Sequence, residues 1–245
     1  MKRLAFLLAV ALLLGVTPVV GFSETVLYFP CDDIQGDTVQ DHSGAGNDGT
    51  INGQINLVAG KFGNGYEFDG ASMIQVPKSG TLDITQNITI EAWTLKHEAG
   101  AEEQFVFDKR AGGPRLGYEF VQINDAFGPH FVTPPEVKAI ILQDEPAPLG
   151  TWQYHAATYD GNKLIYYLDG QFLKETEQSG DLGVESDLFI GAENGTKGFY
   201  VGVLDNLRIS NVVLTEDEIA QAFNQATAVN PQYKLAQTWG SIKTQ

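Results

Sequence analysis

The sequence predicts an all-β fold, a two-sheet antiparallel sandwich with one short C-terminal helix, on three observations. Segments of period two, rich in Val, Ile, Tyr, Phe and Thr, recur between clusters of Gly, Asn and Asp. Two Asp-Gly pairs separate apolar runs, as tight hairpin turns require. A single capping signal, near residue 215, interrupts the alternation.

In chain order the expected strands begin with Val26 to Phe29, Tyr66 to Phe68, Ser72 to Val76, Ile88 to Leu95, Gln104 to Phe107 and Tyr118 to Ile123. His130 to Val132, Val137 to Leu142, Gln153 to Tyr159, Leu164 to Leu168, Gln171 to Lys174, Leu188 to Ile190 and Tyr200 to Ile209 follow. Thirteen short strands are too many for one layer and imply two stacked sheets. Asp160-Gly161-Asn162 and Asp169-Gly170 make residues 153 to 175 a three-strand meander. Thr215 followed by Glu218 forms a capping box ahead of Ile219, Ala220, Ala222 and Phe223, which starts the helix. No Pro/Ser/Gly linker divides residues 24–226, so they are expected to form one domain, with residues 227–245 as a C-terminal tail.

The 245 residues carry 15 Lys+Arg against 31 Asp+Glu, a formal charge of −16, with 43% apolar and 19% charged residues. This is globular composition. The excess of carboxylates repels phosphate backbones and anionic lipid headgroups, which argues against nucleic acid or a membrane surface as partner. Lys2 and Arg3, the apolar run Leu4 to Val16, and small residues at Gly21 and Ser23 read as a signal peptide over residues 1–23. A secreted, periplasmic or cell-surface location is therefore expected, with no membrane insertion after cleavage. Cys31 is the only cysteine, so no internal disulfide forms, and it reads as a buried small residue at a strand end.

Three stretches then stand out: Leu27-Tyr28-Phe29-Pro30-Cys31-Asp32-Asp33, Asp41 to Thr50, and Gly60-Lys61-Phe62-Gly63-Asn64-Gly65-Tyr66-Glu67-Phe68-Asp69-Gly70. They resemble the opening of LamG-like jelly-roll domains of the concanavalin A-like lectin/glucanase superfamily. Ile88 to Trp93, Trp152 to Gly161, Leu168-Asp169-Gly170, Leu188 to Gly191, Leu204 to Ile209 and Leu214 to Ile219 follow in that family's order. The resemblance implies a jelly roll with adjacent first and last strands, and function varies widely on such a fold. Tyr154 stands where the family usually has His, and His155 falls one place later, which puts its imidazole on the opposite face of the strand.

The family's glucanases carry a Glu-x-Asp-x-x-Glu strand motif that brings acids to one face. The nearest match, Glu185-Ser186-Asp187-Leu188-Phe189-Ile190, lacks the final acid, so no glycoside hydrolase activity is expected. The segment 112–150 is rich in Pro and aromatic residues, and rings there could stack on sugar faces. Tyr118, Phe127, His130 and Phe131 are the candidate ligand-binding residues. Many relatives hold Ca²⁺, and if the first and last strands pair, Asp32 would meet Asp205, making these two the candidate ligands of one structural Ca²⁺. The expected function is non-catalytic binding of a glycan or cell-surface polymer. The alternative is a structural or adhesive module with a protein partner.

Overall fold

In the computed structural model, described for residues 25–99, 103–111, 116–135, 137–183 and 185–225, the alternation resolves into sixteen strands and one helix. The expected signal peptide and the tail lie outside the described residues. The strands begin with β1 (Thr25–Phe29), β2 (Thr38–Val39), β3 (Gly49–Asn52), β4 (Asn56–Ala59), β5 (Asn64–Asp69), β6 (Met73–Val76), β7 (Ile88–Lys96) and β8 (Glu103–Ala111). They continue with β9 (Leu116–Ile123), β10 (Ala126–Thr133), β11 (Val137–Ile140), β12 (Trp152–Tyr159), β13 (Lys163–Leu168), β14 (Gln171–Glu177), β15 (Leu188–Ile190) and β16 (Val201–Ser210), and α1 (Glu216–Gln225) closes the series. The three strands not expected, β2 to β4, are short and mostly polar or exposed, so they carry little alternation.

One sheet runs β14-β13-β12-β7-β16-β5-β4, with β1 also paired to β16, and the other runs β11-β10-β9-β8-β15-β6-β3-β2. All pairings among these strands are antiparallel. β16 pairs with β5 through Val201–Leu204 and with β1 through Leu207–Ser210, and its register against β7 shifts between Asp205 and Arg208. That irregularity, with Asn206 at φ 48°, sets Asp205 at the point where β16 changes neighbours.

The core lies between the sheets. On β12, Ala157 and Tyr159 face inward, while Tyr154 and Ala156 face outward beneath α1 with Trp93, Leu214 and Ile219. Phe223 of α1 stacks on Trp93 at 5.4 Å, which fixes the helix on the first sheet. The capping box is formed: the Thr215 N–H donates to Glu218 Oε2 at 2.8 Å, and the Glu218 N–H donates to Thr215 Oγ1 at 3.3 Å. Asp169 and Gly170 both have positive φ, 51° and 76°, in the expected hairpin turn. Cys31 is fully buried, and burial pushes its thiol well above its ordinary pKa.

Candidate functional site

Tyr118, Phe127 and Phe131 are fully buried inside the sandwich. Tyr118 packs on Phe131 at 6.0 Å, Phe127 on Phe120 at 6.4 Å, and Phe131 on Tyr159 of the opposite sheet at 5.7 Å. The expectation that these three rings contact a ligand is thereby corrected: they fill the core, where each contributes about 1.5–3 kcal/mol through burial. On β9 and β10 they occupy the inward positions of the alternation.

His130 faces the other way. It belongs to a row that crosses the outer face of the second sheet in register: Thr50, Gln75, Phe189, Asp108, Glu119, His130 and Ile140, from β3 to β11. Residues directly opposite on neighbouring strands share a face, so these side chains form one lateral ladder. At its centre Arg110 Nη1 donates to Glu119 Oε2 at 2.5 Å and lies 3.0 Å from His130 Nδ1, which is itself 2.9 Å from the same Glu119 oxygen. Burial alone would push the Glu119 carboxyl up, but the hydrogen bond from His130 and the charge of Arg110 outweigh it and hold Glu119 below its ordinary value. Glu119 therefore stands as an ionised acceptor rather than a proton donor.

A small hairpin walls the row. Asn194 and Gly195 take φ of 48° and 64°, and the Glu193 N–H donates to the Lys197 carbonyl at 2.8 Å. The Asn194 N–H donates to Asp108 Oδ2 at 2.7 Å. A Cβ on Gly195 would lie 2.9 Å from Met73 Cε and 3.2 Å from the Phe189 ring, so only glycine lets the turn press this closely. Phe189 remains half-buried, and Ile140 is 44% exposed at the far end of the row. The polar centre thus has an apolar contact on either side.

Arg110, Glu119, Asp108 and Phe189 were not among the sequence candidates. Their signal was charge at alternate positions of apolar strands, Asp108 and Arg110 on β8 and Glu119 between Tyr118 and Phe120 on β9. Which charges face one another depends on register between strands, and that is not written in either strand alone. Glu185 and Asp187, the nearest glucanase match, serve instead a turn at Lys78: Asp187 accepts from the Lys78 N–H at 2.8 Å and Glu185 from its ammonium at 3.1 Å. His155 faces inward and is fully buried, as the one-place offset implied, with Nδ1 2.8 Å from the Tyr166 hydroxyl and Nε2 3.0 Å from Thr94 Oγ1.

Asp32 and Asp205 are brought to one loop. Asp205 Oδ2 accepts from the Phe62 N–H at 2.9 Å, and Asp32 Oδ1 accepts from the Asn64 N–H at 3.0 Å. Burial, opposed by hydrogen bonds from Phe62 and Asn206, pushes Asp205 up to about 7. A Cβ on Gly60 would fall 2.2 Å from the Asn64 carbonyl oxygen and 2.8 Å from Asp205 Oδ2, and one on Gly63 would fall 2.3 Å from Asp32 Oδ1. The glycines let this loop pack closely on the two carboxylates, whose oxygens accept from the N–H groups of Phe62 and Asn64 and from the Asn206 amide, so a hard cation such as Ca²⁺ would have to replace or share those donors. Among the described residues no group of three or more His, Cys, Asp or Glu side chains could hold a metal, so backbone carbonyls would have to complete the shell.

The fold and the row define the class: a two-sheet jelly-roll sandwich with a charged ladder across one outer face. A family model for the concanavalin A-like lectin/glucanases superfamily, Laminin_G_3, matches residues 68–220, and the chain belongs to this superfamily. No curated protein matches it. Among solved structures it is similar to the binding domain of Paraclostridial Mosquitocidal Protein 1, with 14% identity, a TM-score of 0.70, and coverage of 82% of this chain and 52% of that one. It is also similar to domain 4 of AbnA, a GH43 extracellular arabinanase from Geobacillus stearothermophilus solved with arabinotriose, at 18% identity and a TM-score of 0.66, covering 81% of this chain and 97% of that one. The binding domain of botulinum neurotoxin DC, solved in complex with rat synaptotagmin II, matches at 12% identity and a TM-score of 0.67, covering 83% of this chain and 52% of that one. The chain spans about half the length of the two toxin binding domains. At these identities the likeness shows the fold.

Proposed function

We propose that the protein is an exported, non-catalytic module that binds a glycan or surface polymer along the outer face of the second sheet. The observation that carries this reading is the ladder itself. Buried Arg110 and Glu119 hold His130 in place, and the part-exposed imidazole offers a hydrogen-bonding edge at the surface, while Phe189 and Ile140 supply apolar contact for the C–H faces of a sugar. Glycoside hydrolysis needs a carboxylic acid held protonated beside a second carboxylate, whereas the environment of Glu119 keeps it ionised. The arabinanase domain solved with arabinotriose supports sugar as the ligand class, by likeness of fold.

The same proposal includes cleavage of residues 1–23, a single folded unit over residues 24–226, and one structural Ca²⁺ held by Asp32, Asp205 and loop carbonyls. The partner is a glycan or cell-surface polymer met outside the cytoplasm. Its rival is a protein-contact module, supported by the toxin domain solved with a protein receptor.

A glycan array followed by isothermal titration on the full chain tests the reading. His130→Ala and Phe189→Ala are expected to weaken binding by about tenfold or more each, since a contact worth about 1.4 kcal/mol is a factor of ten. Unchanged affinity in both variants removes the ladder as the site. Binding to no glycan, together with specific capture of a protein partner, favours the rival.

A further inference from the structure

Of the four ligand-binding candidates, His130 alone reaches the surface, with its side chain 15% exposed. Only one of its nitrogens faces the protein. Nδ1 lies 2.9 Å from Glu119 Oε2 and 3.0 Å from Arg110 Nη1, and Nη1 is itself 2.5 Å from the same oxygen. Nε2, across the ring, has no hydrogen-bond partner among the described residues and is not among the unpaired polar atoms sealed from solvent. A ligand on the ladder therefore meets His130 through Nε2. What that atom can offer depends on which nitrogen carries the ring proton.

The triangle of contacts decides the tautomer. With sides of 2.5, 2.9 and 3.0 Å it is close to equilateral, so from Nη1 the oxygen and Nδ1 lie only about 60° apart. The two hydrogens on one planar guanidinium nitrogen diverge by about 120°, so Nη1 cannot aim one at each. Its hydrogen goes to the carboxylate, the shorter and charge-assisted contact. A bare Nδ1 lone pair would then face that carboxylate at 2.9 Å, acceptor against acceptor. A proton on Nδ1 removes the conflict, because one carboxylate oxygen has two lone pairs and accepts from both donors. The 3.0 Å approach of Nδ1 to Nη1 is the by-product of this convergence. Asp108, one strand beyond Glu119, is turned to the Asn194 N–H, and Lys138 on β11 lies level with Val132 rather than with His130.

We infer that Glu119 is a positioning residue: it fixes the neutral His130 ring as the Nδ1–H tautomer and turns a bare Nε2 lone pair to the surface. The ladder thereby selects a ligand that brings a hydrogen-bond donor to that point, such as a sugar hydroxyl. A carboxylate or sulfate, which can only accept, is disfavoured there. The ligand class rests on the glycan-binding reading, whereas the tautomer rests on the contacts alone.

Ring nitrogen–proton correlation NMR on the full chain, labelled with ¹⁵N at histidine, reads the tautomer directly, because protonated and bare imidazole nitrogens resonate far apart. Spectra are recorded at pH about 8, above the ordinary imidazole range, and His130→Gln assigns the ring among the four histidines. The expected result is a protonated Nδ1 and a bare Nε2. Glu119→Gln, which keeps an oxygen acceptor, should retain this pattern, and Glu119→Ala should reverse it, since Nδ1 then faces the permanent donor Arg110. Added arabinotriose is expected to shift Nε2 while leaving it unprotonated. An Nε2–H tautomer or a doubly protonated ring in the wild type overturns the inference, whether or not Glu119→Ala folds. An unchanged tautomer in folded Glu119→Ala does the same. A wild-type Nδ1–H tautomer with no binding of arabinotriose, cellotriose or xylotriose by calorimetry overturns the glycan-binding reading and leaves the role of Glu119 standing.

Discussion

Lowering the pH should destabilise the protein through His155 by an amount the structure allows to be worked out. The imidazole is fully buried, lies 4.9 Å from Phe127 and 5.2 Å from Phe120, and has both nitrogens in hydrogen-bond contact, with the Tyr166 and Thr94 hydroxyls. A neutral ring satisfies both contacts, one nitrogen donating and the other accepting. Burial depresses its pKa from 6.5 to about 3. The unfolded chain takes up this proton below about 6.5 while the native state refuses it, so unfolding gains a proton and stability falls as pH falls through the window from about 6.5 to about 3. Each pH unit in that window costs about 1.4 kcal/mol, so about 2.7 kcal/mol is lost on going from neutral pH to pH ~4.5. That is a large share of the ~5–15 kcal/mol typical of a domain. Urea unfolding of the wild type and His155→Gln at both pH values isolates the effect, because carboxylates common to both proteins cancel in the difference. The variant should be less stable at neutral pH, yet lose about 2.7 kcal/mol less on acidification. Parallel pH dependences in the two proteins would show that the native ring takes the proton at an ordinary pKa and would refute the argument.

The ladder and the loop at Asp32 and Asp205 each make a further prediction. Glu119→Ala removes the carboxylate that buried Arg110 meets and should cost about 3–5 kcal/mol, whereas the double replacement Arg110→Met with Glu119→Met should recover much of that loss. A single-variant cost below about 1 kcal/mol by urea unfolding would mean that the pair behaves as a surface ion pair. Millimolar calcium should raise the melting temperature of the wild type relative to a chelator, and Asp32→Asn should reduce that increment. Identical melts in calcium and chelator would remove the proposed metal.

Much of the fold was legible because alternation is a local property. β12 could be read from Gln153 to Tyr159 alone, and the offset of His155 from the family position put its ring on the opposite face, which the structure shows to be the inner one. The hairpin at Asp169-Gly170 and the capping box at Thr215 and Glu218 were legible for the same reason: each is a few residues acting on their own backbone. The short strands β2, β3 and β4 escaped because polar residues such as Thr38, Asn52 and Asn56 show no apolar period. The proposed binding face was the hardest part. Tyr118, Phe127 and Phe131 announce themselves as rings in a Pro-rich segment, but the same property that suits a ring to sugar suits it better to a core, and alternation turned all three inward. His130, chosen from the same segment, lies on the outer face because its neighbours on β10, Pro129 and Phe131, take the inward side.

Asp108-Lys109-Arg110 shows why composition misses such sites. In sequence the triplet is a short mixed-charge run, indistinguishable from a solvated turn. In the sheet, alternation sends Asp108 and Arg110 to the outer ladder and Lys109 to the inner face, where it meets Asp83. The two basic residues then meet opposite charges that strand pairing and folding bring to them: Arg110 meets Glu119 of the next strand, and Lys109 meets Asp83. Burying these pairs yields little net stability by itself. What it does give is fixed geometry, since a buried charge cannot leave its partner without a cost of several kcal/mol. A slip of β8 by one residue would exchange its two faces, turning Lys109 outward and Arg110 inward. The register of β8 against β9, carried from Glu103↔Ile123 to Ala111↔Leu116 with one shift between Phe105 and Phe107, is therefore what holds the proposed ladder together.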